Sequence, residues 1–162
     1  MPTISEIKEE AFKFRGLLEK CDKSNTRLVI DCFPIMSCKL SAMLLSYHFI
    51  ELWPDIEVQG VSAVTGGNDQ ITHYWLEIDE VVIDITVDQY NLIKGSDLNK
   101  EIIKNRPFEA VHVSNKNESY LYKLFRVRER ESLIYGFPAI GEDFIDDMVL
   151  GYNQLLNHAA YT

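Results

Sequence analysis

The segment at residues 71–86, ITHYWLEIDEVVIDIT, constrains the fold of this chain more than any other feature. Its two runs, ITHYWLEI and VVIDIT, are rich in β-branched and aromatic residues, which favour strands. Only Asp79 and Glu80 separate the runs, and such a short connection is typical of an antiparallel hairpin. If these two residues form the turn, Ile78 pairs with Val81. The sequence therefore predicts two adjacent antiparallel strands in a defined register.

This register places a histidine and an aspartate on one face of the hairpin. His73, Trp75 and Glu77 share a face of the first strand, because side chains alternate between faces. Trp75 then lies opposite Asp84 and His73 opposite Thr86, so Asp84 is a diagonal neighbour of His73. Such neighbours lie roughly 7 Å apart at Cβ, which a carboxylate can bridge. An unpaired carboxylate inside an apolar strand is costly, so we expect Asp84 to pair with His73.

A His–Asp pair orients an imidazole and stabilises its charged form, which suits a site beside a nucleophile. Cys38 is the candidate nucleophile. Ser37 is a plausible N-cap for a helix that begins at Cys38 and runs to about residue 52. The unpaired amides and the dipole at a helix N-terminus favour a thiolate over a thiol. The backbone amide of Cys38 would also point at an oxyanion formed on a substrate.

The rest of the chain predicts a single α+β domain over residues 1–162. Thr3 and Glu6 fit a capping box at the start of the first helix. The run RLVIDCF is interpreted as a strand or an extended segment. The other predicted elements are a helix at residues 3 to about 21, the strands IEVQGVSAVT and FEAVHVS, and helices at residues 119 to about 131 and 142 to about 159.

The formal net charge of −9 limits the partners that the chain could bind. An acidic surface repels nucleic-acid phosphates and anionic membranes, so neither is expected as a partner. One basic group is interrupted by glutamates and is interpreted as the solvated face of the helix predicted at residues 119 to about 131. Its members are Lys123, Arg126, Arg128 and Arg130.

Targeting signals, membrane spans and metal sites are not expected. No apolar run approaches the roughly 20 residues that cross a bilayer, and the charged N-terminus differs from a signal peptide. A soluble, cytoplasmic protein is therefore expected. The three cysteines, Cys21, Cys32 and Cys38, include no CxxC pair, so we expect thiols rather than disulfides or metal ligands. No cofactor is expected, and the oligomeric state stays open.

Two segments, FPIMSCKLSAMLL and HYWLEIDEVVIDITVDQY, carry a family resemblance. Together they resemble the transglutaminase-like branch of the papain-like cysteine enzymes, whose pattern is a cysteine opening a helix, H-small-W-x-E on a strand and D-x-T on the next strand. Cys38, His73 and Asp84 match the nucleophile, the base and the orienting acid. The resemblance covers residues 33–90 and extends to a group of small bacterial proteins with this core. It implies N-terminal helices packed on an antiparallel sheet, followed by C-terminal helices.

The chain also departs from the family pattern. Met36 and Ser37 stand where the family often has glycine, and Tyr74 replaces the usual small residue after the histidine. By alternation, Tyr74 points away from the site. Papain-type relatives often place an oxyanion-binding glutamine six residues before the cysteine, where this chain has Cys32.

Two further residues are candidates for contact with a substrate. Gln89 follows the third strand and is a candidate for the missing oxyanion donor. Trp75 is a candidate as well, either as a substrate contact or as a packing wall.

The resemblance implies a thiol-dependent hydrolase acting on a peptide or protein amide. A cysteine peptidase, an amidase or a deamidase would each form an acyl-enzyme thioester that water resolves. Two alternatives stay open on the same fold. One is a transglutaminase-type acyltransferase, in which an amine replaces water. The other is a catalytically inactive module that binds a protein partner.

Overall fold

A five-stranded antiparallel sheet forms the centre of the fold in the computed structural model, which describes residues 1–160. The strands are β1 (Val58–Thr65), β2 (Ile71–Ile78), β3 (Val81–Asp84), β4 (His112–Asn115) and β5 (Arg126–Leu133), in the order β4-β3-β2-β1-β5. The helices are α1 (Ile4–Lys20), α2 (Cys38–Leu52), α3 (Lys100–Lys104), α4 (Leu121–Leu124) and α5 (Glu142–Ala160). The predicted α+β class is confirmed.

The sheet is covered on both faces, except along the largely exposed edge strand β5. The long helices α1, α2 and α5 contact one another and form a core with one face, where Phe14, Leu44, Leu76 and Met148 have no exposed surface. The other face is covered by α3, α4 and the loops beside them. Its core contains Val61, Trp75, Val82, Val87, Tyr90, Ile102, Phe108, Leu121 and Phe125.

The hairpin has the predicted register. Ile78 pairs with Val81, and Leu76 pairs with Ile83. Asp79 in the turn has a φ of 50°, as two-residue hairpin turns require. β3 ends at Asp84, however, so Thr86 does not pair in the sheet and instead precedes a short 3₁₀ turn at Val87–Asn91.

The predicted ends of α1 and α5 are also confirmed to within about one residue. The Thr3 hydroxyl accepts a hydrogen bond from the Glu6 amide at 3.2 Å and caps α1. Gly151 lies within α5, where a Cβ atom would stand 2.3 Å from the Arg27 carbonyl oxygen. Glycine at this position lets α5 approach the segment that leads to Cys38.

Two predicted elements are wrong. The run RLVIDCF forms turns rather than a strand, because its amides bond locally, as in Phe33 N to Ile30 O at 3.1 Å. The helix predicted at residues 119 to about 131 is a single turn, α4, followed by the edge strand β5. Hydrogen bonding to β1 outweighs the local helix propensity of this charged segment. The basic group therefore lies mostly on an edge strand, not on a helix face.

Within residues 1–160, no helix combines the length and the apolar character needed to cross a bilayer.

Candidate active site

Cys38 begins α2 and is half-buried. Ser37 occupies the N-cap position, but its side chain does not cap the helix and instead donates to the Ile35 carbonyl at 3.2 Å. Met36 has a φ of 58° and is 79 % exposed, so it adopts the left-handed conformation that glycine favours. The first-turn amides beside Cys38 are therefore left without a side-chain cap from Ser37.

His73 and Asp84 form a buried pair, as the register predicts. The imidazole Nε2 lies 2.5 Å from Oδ2 of Asp84, and neither side chain has exposed surface. The other oxygen, Oδ1, accepts a hydrogen bond from the Thr86 amide at 2.9 Å. This local bond fixes the carboxylate, since an aspartate readily accepts from the amide two residues ahead.

The second imidazole nitrogen, Nδ1, has no hydrogen-bond partner among the described residues. Burial disfavours the imidazolium, but the charge and hydrogen bond of Asp84, together with Cys38, outweigh burial and raise the pKa of His73 to about 10. Cys38 is thus one of the groups that raise the pKa of the imidazole, although no regular hydrogen bond joins its thiol to the ring. The arrangement orients a charged ring through Nε2 and leaves Nδ1 free for chemistry.

The short third strand leaves the segment of β2 that carries His73 unpaired on one side. α2 packs on the face of the sheet that bears Leu76, whereas the ring of His73 contacts Tyr90 and Phe125 of the other core. Since β3 pairs with β2 only as far as Leu76, residues 71–75 of β2 pair with β1 alone. His73, whose pKa is raised in part by Cys38 at the N-terminus of α2, lies on this open margin of β2.

Aromatic rings enclose the histidine. The ring centroids of Tyr90 and Phe125 each lie 5.2 Å from that of His73, and Trp75 lies at 6.1 Å. Trp75 has no exposed surface, and its indole N–H donates to Glu77 at 2.9 Å. The structure therefore places Trp75 as a packing wall behind His73, and the interpretation as a substrate-binding residue does not fit this burial.

Glu77, which completes the H-x-W-x-E motif, is the centre of a polar network. Besides the Trp75 indole, it accepts from the hydroxyl of Tyr122 and from Arg130 at 2.7 Å. Arg130 also donates to the Tyr122 hydroxyl at 2.6 Å. The sequence gives no sign that Arg130 of β5 is the partner of this buried carboxylate, because β5 is predicted as helix.

Gln89 lies close to the nucleophile and is 5 % exposed. Its Oε1 accepts from the backbone amide of Met36 at 3.3 Å, two residues before Cys38. Its Nε2 is buried and has no partner among residues 1–160. The structure thus brings Gln89 to the same margin as the Cys38–His73–Asp84 group.

Arg15 fixes the loop that carries Gln89, and the sequence patterns do not reveal it. Its guanidinium is buried and bonds both carboxylate oxygens of Asp88 at 2.8 Å. It also donates to the Ile85 carbonyl at 2.6 Å and lies 4.8 Å from the ring centroid of Phe33. One side chain of α1 therefore ties together the segments before Cys38 and after Asp84.

Tyr74 points away from His73, as alternation predicts. It belongs to the core beneath α2, and its hydroxyl donates to Glu131 at 2.6 Å. Burial, and then the Glu131 carboxylate, raise the pKa of Tyr74. Gly60 on β1 accommodates this hydroxyl, because a Cβ there would stand 1.7 Å from it.

A second histidine has a triad-like arrangement that sequence spacing does not indicate. His112 lies 2.8 Å from both Glu109 Oε1 and Ser119 Oγ. Ser119 is only 2 % exposed, and its hydroxyl oxygen accepts from the Leu121 amide at 3.3 Å. A buried serine used in this way cannot attack a substrate, so the group links β4 to α4.

An open cavity lies beside the site. The cavity holds about 730 Å³ and is lined partly by Phe125 and Arg126, but not by Cys38, His73 or Asp84. Within the described residues, no three His, Cys, Asp or Glu side chains form a group that could hold a metal ion.

The chain matches no known family model, no curated protein and no solved structure.

Proposed function

We propose that this protein is a thiol-dependent hydrolase that acts on a peptide or protein amide through Cys38, His73 and Asp84. The observation that carries the proposal is the buried His73–Asp84 pair, whose Nδ1 has no hydrogen-bond partner among the described residues, together with a thiol at a helix N-terminus that acts on the same imidazole. The same proposal assigns the α+β fold to the papain-like or transglutaminase-like class. The order of a cysteine-bearing helix and a His–Asp hairpin supports that assignment.

The reaction has two steps. The Cys38 thiolate adds to the amide carbonyl carbon, and the C–N bond then breaks as the His73 imidazolium gives its proton to the leaving amine. The thioester that remains is attacked by water, whose proton returns to His73, and the acid is released with the thiolate restored. Asp84 holds Nε2 throughout and stabilises the imidazolium.

A purely structural role explains the buried pair less well. A histidine that only links strands has both nitrogens satisfied, because an unpaired buried polar atom costs free energy. His112 is such a case, with Glu109 and Ser119 on its two nitrogens. His73 instead leaves Nδ1 without a partner among the described residues.

The proposal can be tested with p-nitrophenyl acetate, which acylates thiols and releases a coloured product. We expect a burst equal to the protein concentration, followed by slower turnover, with the acetyl group on Cys38 in peptide mass spectra. Cys38→Ala should abolish both phases. Exposed Cys32 is the matched internal control and should be acetylated far more slowly.

The acceptor is tested in the same reaction by adding a primary amine. Hydrolysis should continue with acetate as the main product. A product that is mostly the acetylated amine would replace the hydrolase with a transglutaminase-type acyltransferase. Acetylation of Cys38 no faster than of Cys32 would contradict enzymatic function and favour a binding module.

A further inference from the structure

Only one of the two polar atoms of the Gln89 side chain has a hydrogen-bond partner among the described residues. Its Oε1 accepts from the Met36 amide at 3.3 Å, whereas the buried Nε2 has no acceptor among the described residues. The Met36 N–H also decides the orientation of the side chain, because only an oxygen can accept from it. The end that lacks a partner is therefore the N–H₂ donor.

The donor is held firmly in place. The backbone of Gln89 belongs to a 3₁₀ turn, in which its amide donates to the Thr86 carbonyl at 3.0 Å. Asp88 beside it is held by both nitrogens of the Arg15 fork. A donor on such a support is preorganised, which is what stabilisation of a developing charge requires.

We propose that Nε2 of Gln89 is the second oxyanion donor of the site, acting together with the backbone amide of Cys38. This inference rests on the proposed thiol chemistry. As the Cys38 sulfur forms a bond to the carbonyl carbon, the π electrons of the C=O bond move onto oxygen. That oxygen is the acceptor that Nε2 lacks in the free protein.

Cys32, at the position where papain-type relatives often have a glutamine, does not fit the role of second oxyanion donor. Cys32, six residues before the nucleophile, is exposed, and its thiol donates to the Ile35 carbonyl at 3.3 Å. A thiol is also a weak donor. Gln89 follows Cys38 in the sequence and contacts Met36, two residues before the nucleophile.

The experiment compares two reactions of the same thiol at one pH. Iodoacetamide alkylates Cys38 by displacement and forms no oxyanion, whereas p-nitrophenyl acetate acylates it through a tetrahedral oxyanion. Gln89→Met keeps the length of the side chain and removes both polar atoms. We expect its acylation rate to fall by roughly 10²-fold, which is the loss expected on removal of one oxyanion donor. Its alkylation rate should stay within about twofold of the wild-type rate.

Two further variants separate the donor from the structural bond. Gln89→Glu keeps an oxygen for the Met36 amide but has no N–H₂, so its ratio of acylation to alkylation should fall as in Gln89→Met. Gln154→Ala is the matched control, because Gln154 also accepts from a backbone amide, that of Arg27 at 2.7 Å, but lies on α5. It should leave the ratio unchanged.

The outcomes distinguish the two proposals. Equal changes in both reactions, or no change in either, would overturn the role of Gln89 while Cys38 remained reactive in a His73-dependent way. Preserved acylation in Gln89→Glu would overturn it as well. Because Gln89→Glu keeps the contact with Met36, it provides the test if Gln89→Met is poorly folded. A Cys38 that reacts like Cys32, with or without His73, would instead overturn the proposed function, and the inference would fall with it.

Discussion

Asp84 is the residue on which the charge of His73 depends. It is buried with no exposed side-chain surface and bonds both the imidazole and the Thr86 amide. At the residue scale, the sequence was sufficient to identify this pair, because strand alternation and a two-residue turn fix which side chains share a face. It could not show which imidazole nitrogen stays free, since alternation sets the face of a side chain but not the orientation of its ring.

Asp84→Asn tests the role of the carboxylate directly. The amide can still accept from Thr86, so the fold should stay close to that of the wild type. Acylation of Cys38 by p-nitrophenyl acetate should fall by roughly 10²- to 10⁴-fold, because a neutral amide no longer stabilises the imidazolium. An unchanged rate in a folded Asp84→Asn protein would remove Asp84 from the mechanism.

The same pair makes stability depend on pH. The pKa of His73 is raised from 6.5 to about 10, so its contribution is fully present below the unfolded value and is lost as the pH rises toward 10. Each pKa unit corresponds to about 1.4 kcal/mol. The free energy of unfolding in urea should therefore fall more between pH 6.5 and 10 in wild type than in Asp84→Asn. Equal falls in the two proteins would show that the pair is not charged.

At the scale of elements, the two faces of β2 have different roles. His73 and Glu77 serve the site and its network, whereas Tyr74 and Leu76 pack beneath α2. Alternation alone predicts this division. It does not predict β5, because the charged run RVRERESL becomes a strand only through its ladder with β1. The left-handed φ of Met36 is also not evident from the sequence, because methionine rarely adopts that conformation.

Tyr74→Ala tests the division between faces. Removing a buried aromatic side chain should lower the free energy of unfolding by about 3 kcal/mol or more. Acylation of Cys38 in the folded fraction should change only a few-fold. A selective loss of acylation in a variant that stays stable would contradict the assignment of Tyr74 to the core.

At the scale of the whole molecule, Arg15 joins parts of the chain that no local pattern connects. It lies 70 and 73 residues from Ile85 and Asp88, which it bonds at 2.6 and 2.8 Å. A single sequence predicts the contacts that are set by spacing within an element or by pairing between adjacent strands. Contacts of longer separation depend on how α1 packs across the sheet, which a single sequence does not reveal.

Arg15→Met tests this link. The substitution leaves Asp88 without its partner, and removal of one member of a largely buried pair costs about 3–5 kcal/mol. Lys13→Met on the same helix is the control, because Lys13 is exposed and its ion pairs are at the surface, so the change should be within about 0.5 kcal/mol. Similar unfolding free energies for both variants would show that Arg15 does not hold the loop.

The central claim is that Cys38 and His73 act as a pair, and the rate of thiol alkylation tests it most directly. Iodoacetamide labelling from about pH 4 to 9, quantified by peptide mass spectrometry, reports Cys38 and exposed Cys32 in the same sample. The account predicts that Cys38 reacts well below about pH 8, ahead of Cys32, and that His73→Ala removes this advantage. If both thiols instead gain reactivity together near pH 8.5, about the value for a free cysteine, and His73→Ala changes neither, the account is contradicted.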